Sequence, residues 1–227
     1  LRRLRAAREE QRRLTEIAAA RDEFTSIVSH ELRTPVAGLL GFLQTTVDHW
    51  DEMSDGERRQ AVTRAQLNAD RLQQLTLEVL DSTGMESGQF GYDLARSDLR
   101  AIVEDAAETA RHGLAGRPIT VHSDGAVAVD VDPARLRQVL ANLIDNAAKS
   151  SPPDSPVELT VGRVDGEAEV SVRDHGTGIA PEDRERIFDK FVRGRAGLTR
   201  GSGLGLYLAR QIVHAHGGRI WVGDVDG

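Results

Sequence analysis

No glycine or proline interrupts the first 34 residues, which commits the start of the chain to a long helix. Within it and beyond, Val28, Leu32, Val36, Leu39, Leu43, Val47 and Trp50 recur at spacings of three and four, the period of an amphipathic helix. His30 falls about 200° round the axis from Val28, on the opposite face, and Thr34 follows one turn later on that same face. Pro35 cannot donate to the carbonyl of Glu31 and its ring crowds that carbonyl, so a local bend is expected beside the histidine. An exposed imidazole next to a carboxylate suits nucleophilic attack on an incoming electrophile.

Residues 1–23 are rich in Arg, Glu and Ala, with Leu4, Leu14 and Ile17 the main apolar positions. They read as a polar signalling helix, expected to form a parallel coiled coil that runs into the histidine helix. Ser54-Asp55-Gly56-Glu57 fits a capping box for a second helix. There Ala61, Ala65, Asn68, Leu72, Leu75, Val79 and Ser82 alternate at spacings of four and three, the pattern of a bundle seam. Two helices cannot enclose a core, so a second chain completing a four-helix bundle is the economical solution. Gly84, Gly88 and Gly91 then mark a hinge to an α/β domain.

In that domain, Leu136, Val139, Leu140, Leu143, Ile144 and Ala147 form a helical stripe, with Asp132 and Pro133 placed to start the helix. Asn142, Asn146 and Lys149 share roughly one other face. Amide oxygens suit Mg²⁺ bridged to phosphates, and a lysine supplies positive charge for those phosphates. Val157–Val161 and Ala168–Val172 alternate around Asp165-Gly166, a hairpin signal. The second strand runs into Asp174-His175-Gly176-Thr177-Gly178, where glycines admit a flat ligand and Asp174 is able to accept from an exocyclic amine. Gly201-Ser202-Gly203-Leu204-Gly205 opens an apolar helix, and its backbone amides offer an anion site. Neither the spacing of a P-loop nor that of a dinucleotide fingerprint is present.

Ser29-His30-Glu31-Leu32-Arg33-Thr34-Pro35 resembles the H box of sensor histidine kinases, the phosphoryl-transferring half of bacterial two-component systems. Asn142–Lys149 resembles the N box of the GHKL ATPases, and Asp174–Gly178 and Gly201–Gly205 resemble their two glycine boxes. Ile187–Arg193, with Phe188 and Arg193, resembles the phenylalanine box at the base of a mobile lid. The resemblance implies an α+β protein: a helical hairpin forming a dimeric four-helix bundle, then an α/β sandwich ATP-binding domain of GHKL type. It makes His30 the phosphoacceptor, Glu31 its base and Thr34 the residue that positions water for the reverse, phosphatase activity. Asn146 becomes the Mg²⁺ ligand, Asn142 a supporting contact, Lys149 a phosphate contact and Asp174 the reader of the adenine amine. Gly176, Gly178, Phe188, Arg193, Gly201, Gly203, Leu204 and Gly205 complete the nucleotide site. Ser150 departs from the pattern, since many members carry there an aromatic residue that packs near adenine.

The expected organisation is therefore a signalling helix over 1–23, a dimerisation and phosphotransfer domain over 24–90 and a catalytic domain over 91–227 whose last strand is missing. The expected function is ATP-dependent phosphorylation of His30 and transfer to an aspartate of a response regulator, with ATP and Mg²⁺ required. A phosphatase-dominant member, a GHKL ATPase used as a conformational clamp and a silent dimeric scaffold are the competing readings. A net charge of −7 argues against general nucleic-acid binding. The absence of cysteine excludes disulfides and thiolate metal sites. No run of eighteen apolar residues and no secretory signal occurs, so a cytoplasmic segment without membrane contact is expected, compatible with a sensor or membrane segment before Leu1.

Overall fold

The computed structural model describes residues 2–87, 90–114, 116–190, 192 and 203–223. The chain divides into two compact units, Leu1–Leu80 and Asp81–Gly227. Two long helices, α1 (Arg2–Asp48) and α2 (Asp55–Glu86), supply the first unit. Helix α1 continues through Pro35, whose ring is fully buried. The capping box forms: Ser54 N–H donates to Glu57 Oε2 at 2.8 Å, and Glu57 N–H reaches back to Ser54 Oγ at 3.4 Å. The backbone N–H of Ser54, with its hydroxyl, holds the Glu57 carboxyl below its ordinary value.

The helices are antiparallel, since Glu31 pairs with Arg71, Phe42 lies under Arg64, and Trp50 lies under Arg58. The most buried positions of α1 are not those of the apolar stripe, of which Val28, Leu32 and Leu39 are half-buried. Among the described side chains of α1, Glu31, Pro35 and Thr46 are the buried ones, and Ala61, Ala65 and Leu75 are buried on α2. Gly38 belongs to the same seam: a Cβ there would stand 2.7 Å from Asn68 Oδ1, so its lack of a side chain sets the approach of the helices. Val36, Leu43, Val47 and Trp50 of the stripe remain exposed, as do Val62, Leu67, Leu77 and Leu80 of α2.

In the second unit, β1 (Ala95–Asp98) pairs antiparallel with β3 (Ala128–Val131). Strand β2 (Ile119–Ser123) runs parallel to β4 (Val157–Val164), and β4 pairs antiparallel with β5 (Glu167–Arg173) across the Asp165-Gly166 turn. Helices α3 (Leu99–Gly113) and α4 (Pro133–Ser150) cover the sheet, with Val103, Ala107, Leu140, Ile144, Val157 and Leu159 at the centre of the core. Helix α5 (Gly205–Ala215) packs on α4 through Ala209, Ile212 and Val139. No strand forms after α5 among the described residues. Nor is any described helix long and apolar enough to cross a membrane.

Gly84 does not interrupt α2, and Gly88 lies outside the described residues. Residues 90–93 are fastened to the second unit. The Phe90 ring lies 4.1 Å under the Arg135 guanidinium and 5.2 Å from Tyr92, whose ring meets the edge of His216 at 5.2 Å. Arg135 also pairs with Asp81 at 3.2 Å. At the start of α4, Asp132 caps the helix as expected, accepting from the N–H groups of Ala134 and Arg135 at 2.9 and 3.1 Å. Its other oxygen accepts from Asp93 N–H at 3.0 Å, tying the incoming chain to the same carboxylate.

Burial pushes the Asp132 carboxyl up, but the three backbone donors and the Arg135 charge outweigh it and hold the group below its ordinary 3.8. A depressed folded value adds stability above the unfolded value and loses it as pH falls through the folded one. Asp132→Ala is expected to lower unfolding free energy by about 1–3 kcal/mol at neutral pH. The loss should shrink as pH drops below about 4, measured by urea denaturation followed by circular dichroism. An equal loss at pH 3 and pH 7 would contradict the assignment.

Candidate active site

His30 stands on α1 with its side chain 73% exposed, whereas the Glu31 side chain beside it is only 10% exposed. Glu31 Oε1 lies 3.5 Å from His30 Nδ1. A carboxylate at Nδ1 favours the tautomer with the proton on that nitrogen and leaves the Nε2 lone pair free for attack. Thr34 donates to the His30 carbonyl at 3.3 Å, an i,i−4 side-chain bond within the helix. His30, Glu31 and Thr34 thus lie together on the first unit, as their spacing implies.

In the second unit, three of the remaining residues share one face of α4. Leu140, Ile144 and Ala147 face the sheet, and Leu136, Val139 and Leu143 face α5. The stripe left over carries Asn142, Asn146 and Lys149. Asn142 donates to the Gly205 carbonyl at 3.1 Å and so joins α4 to the first turn of α5. Lys149 is paired one turn back with Asp145. Asn146 makes no hydrogen bond with the described residues, so its amide oxygen is open to a ligand. Among those residues no cluster of three His, Cys, Asp or Glu forms a protein metal cage. A hard cation held by one amide oxygen, waters and phosphates fits that donor set, which is how Mg²⁺ is usually bound.

At the end of β5 the chain turns back against the C-terminus of α4. Asp174 Oδ1 accepts from Gly176 N–H at 2.7 Å, and the Ser151 hydroxyl lies 3.3 Å from the same oxygen. Oδ2 is free of partners among the described residues and remains an acceptor for an amine. Gly176 is required here: a Cβ would sit 2.5 Å from the Ser150 carbonyl oxygen and 2.7 Å from Asp174 Oδ1. Gly178 and Gly203 adopt positive φ, at 72° and 70°. Leu204 is fully buried. Phe188 is buried in the core of the same unit. Arg193 and Gly201 lie outside the described residues.

Two contacts, one in each unit, have no local sequence signal. Ser151 reaches Asp174 from 23 residues away, and Arg71 of α2 lies 3.8 Å from Glu31 Oε2. Long-range pairing of this kind carries no periodicity to read.

Comparison with known proteins agrees with both halves of this geometry. Residues 20–88 match the His Kinase A (phospho-acceptor) domain, and residues 131–227 match the histidine kinase-, DNA gyrase B- and HSP90-like ATPase family. The sensor-like histidine kinase SenX3 of Mycobacterium tuberculosis is 33% identical over 210 residues, covering 89% of this chain and 51% of SenX3. The chain therefore spans about half the length of that relative. Full-length ShkA in complex with AMPPNP superposes with a TM-score of 0.62 at 28% identity, covering 91% of this chain and 43% of ShkA. The histidine kinase ThkA in complex with the response regulator TrrA gives a TM-score of 0.65 over 96% of this chain and 62% of ThkA. At 23% identity, that likeness concerns the fold.

Gly176→Ala is expected to lower nucleotide affinity about tenfold or more, because the new methyl must displace the Ser150 carbonyl or Asp174. Titration calorimetry with a non-hydrolysable ATP analogue checks this. Unchanged affinity would show that the turn does not shape the site.

Proposed function

This chain belongs to the two-component sensor histidine kinases, and we propose that it moves the γ-phosphoryl group of ATP to His30 and from there to an aspartate of a response-regulator receiver domain. The observation that carries this reading is the exposed His30 ring with a buried carboxylate at its Nδ1. Nε2 attacks the γ-phosphorus, the bond to the β,γ-bridging oxygen breaks, and ADP leaves with that electron pair. The Nδ1 proton is shared with Glu31 as positive charge develops on the ring, and the resulting phosphoramidate is a reactive donor.

On the ATP side, Asp174 Oδ2 accepts from the adenine amine while Oδ1 holds the turn through Gly176. Asn146 supplies an amide oxygen, and Mg²⁺ bound there would neutralise charge between the β- and γ-phosphates. Lys149 reaches those phosphates by leaving Asp145, an exchange that costs little because the pair is exposed. Backbone N–H groups at the start of α5 offer the phosphates a positive dipole end, with Asn142 fixing that turn. Ser150 provides no aromatic surface, so adenine selection falls on Asp174.

The exposed apolar faces of α1 and α2 support a homodimer in which a second hairpin covers them. Val47, 74% exposed, and Leu80, 62% exposed, have no reason to face water in an isolated hairpin.

His30→Gln should abolish acid-labile label from γ-labelled ATP while nucleotide affinity stays within about twofold, because the acceptor and the nucleotide site lie in separate units. Asn146→Ala should remove the Mg²⁺ dependence of ATP binding, and Asp174→Asn should weaken binding by about 1.5–3 kcal/mol. Label retained on the His30 variant, or normal kinase rates in the other two, would contradict the proposal.

Thr34→Ala should leave autophosphorylation near the wild-type rate and slow dephosphorylation of the cognate regulator, followed by loss of label from its receiver domain. Equal loss of both activities would assign Thr34 to the His30 carbonyl bond alone.

A further inference from the structure

Glu31 occupies an unusual place for a group that serves an exposed ring. Its side chain is buried in the α1–α2 seam while His30 projects into solvent. A carboxylate withdrawn from water needs compensating partners. Its two oxygens face different ones, with Oε1 at 3.5 Å from His30 Nδ1 and Oε2 at 3.8 Å from Arg71 Nη2. Arg64, nearly two turns earlier on α2, is stationed over the Phe42 ring. The His30 side chain is 73% exposed, so the carboxylate is reached from solvent on one side and from α2 on the other.

We infer that Arg71 is a positioning residue for the kinase reaction, acting through Glu31 by holding the far carboxylate oxygen so that the near one faces Nδ1 of His30. This rests on the reading of His30 as phosphoacceptor. The consequence is geometric. A glutamate has three rotatable side-chain bonds, and anchoring Oε2 to a second helix removes the conformers in which Oε1 points away from the ring. Arg71 touches neither the ring nor the phosphoryl group in this arrangement. Its loss therefore lowers the rate of transfer and leaves ATP affinity alone.

The test measures initial phosphohistidine formation at saturating ATP, with KM for ATP, in wild type, R71M, R71K, E31Q and the E31Q/R71M double variant, with H30Q alongside. R71M should lower kcat about tenfold with KM for ATP within about twofold, and R71K should restore most of the rate. In the E31Q background R71M should cause no further loss, since the residue it acts through is already neutral. A wild-type rate in R71M would overturn the inference. So would an equal fractional loss in both backgrounds, which would place Arg71 in the shape of the hairpin instead. Label persisting in H30Q would overturn the phosphoacceptor reading and the inference with it, whereas label confined to His30 with either of the preceding outcomes would overturn the inference alone.

Discussion

The proposed nucleotide site depends on how α4 is packed. The helix buries Leu140, Ile144 and Ala147 against the sheet and Leu136, Val139 and Leu143 against α5. Two adjacent faces are therefore occupied, and the helix is free neither to roll nor to slide. The remaining stripe, Asn142, Asn146 and Lys149, inherits that rigidity without contributing to it. The ends are fixed as firmly: Asp132 caps one by accepting from two N–H groups of α4 and ties it to Asp93 N–H, and Ser151 at the other meets Asp174 and its turn. Polar groups on such a helix are pre-organised for a ligand because apolar packing elsewhere holds them in place.

The hairpin solves a different problem. Small and polar residues line its internal seam, where Gly38, Ala61 and Ala65 allow α1 and α2 to lie close. The large apolar side chains are left outward, which is costly for a monomer and useful for a bundle. The same division puts Glu31 inside and His30 outside, so that the acid is held while the ring remains open to solvent. An acid on the exposed face would gain hydration and lose orientation.

Local chemistry in the sequence foretold local structure well. Ser54 and Glu57 form the capping box, Asp132 caps α4, and Asp165-Gly166 makes the hairpin turn, because each motif satisfies its own backbone within a few residues. Strand β1 was illegible: Ala-Arg-Ser-Asp shows no apolar alternation and is extended only because β3 pairs with it. The α1 stripe gave the right helix but not its inner seam, since burial depends on which partner lies on which side. Gly84 looked like a hinge and sits inside α2, with Phe90 packed so near that a Cβ would stand 3.3 Å from its ring. Arg71 and Ser151 act across long sequence separations, and nothing around either announces its partner.

The most direct measurement identifies the residue that carries phosphate. Incubation of the unmodified chain with ATP and Mg²⁺, followed by electron-transfer fragmentation at neutral pH, preserves a phosphoramidate and locates it. Phosphate confined to His30 is the predicted result. Phosphate on a serine, threonine or aspartate, or ATP hydrolysed without any phosphoprotein, would contradict the account.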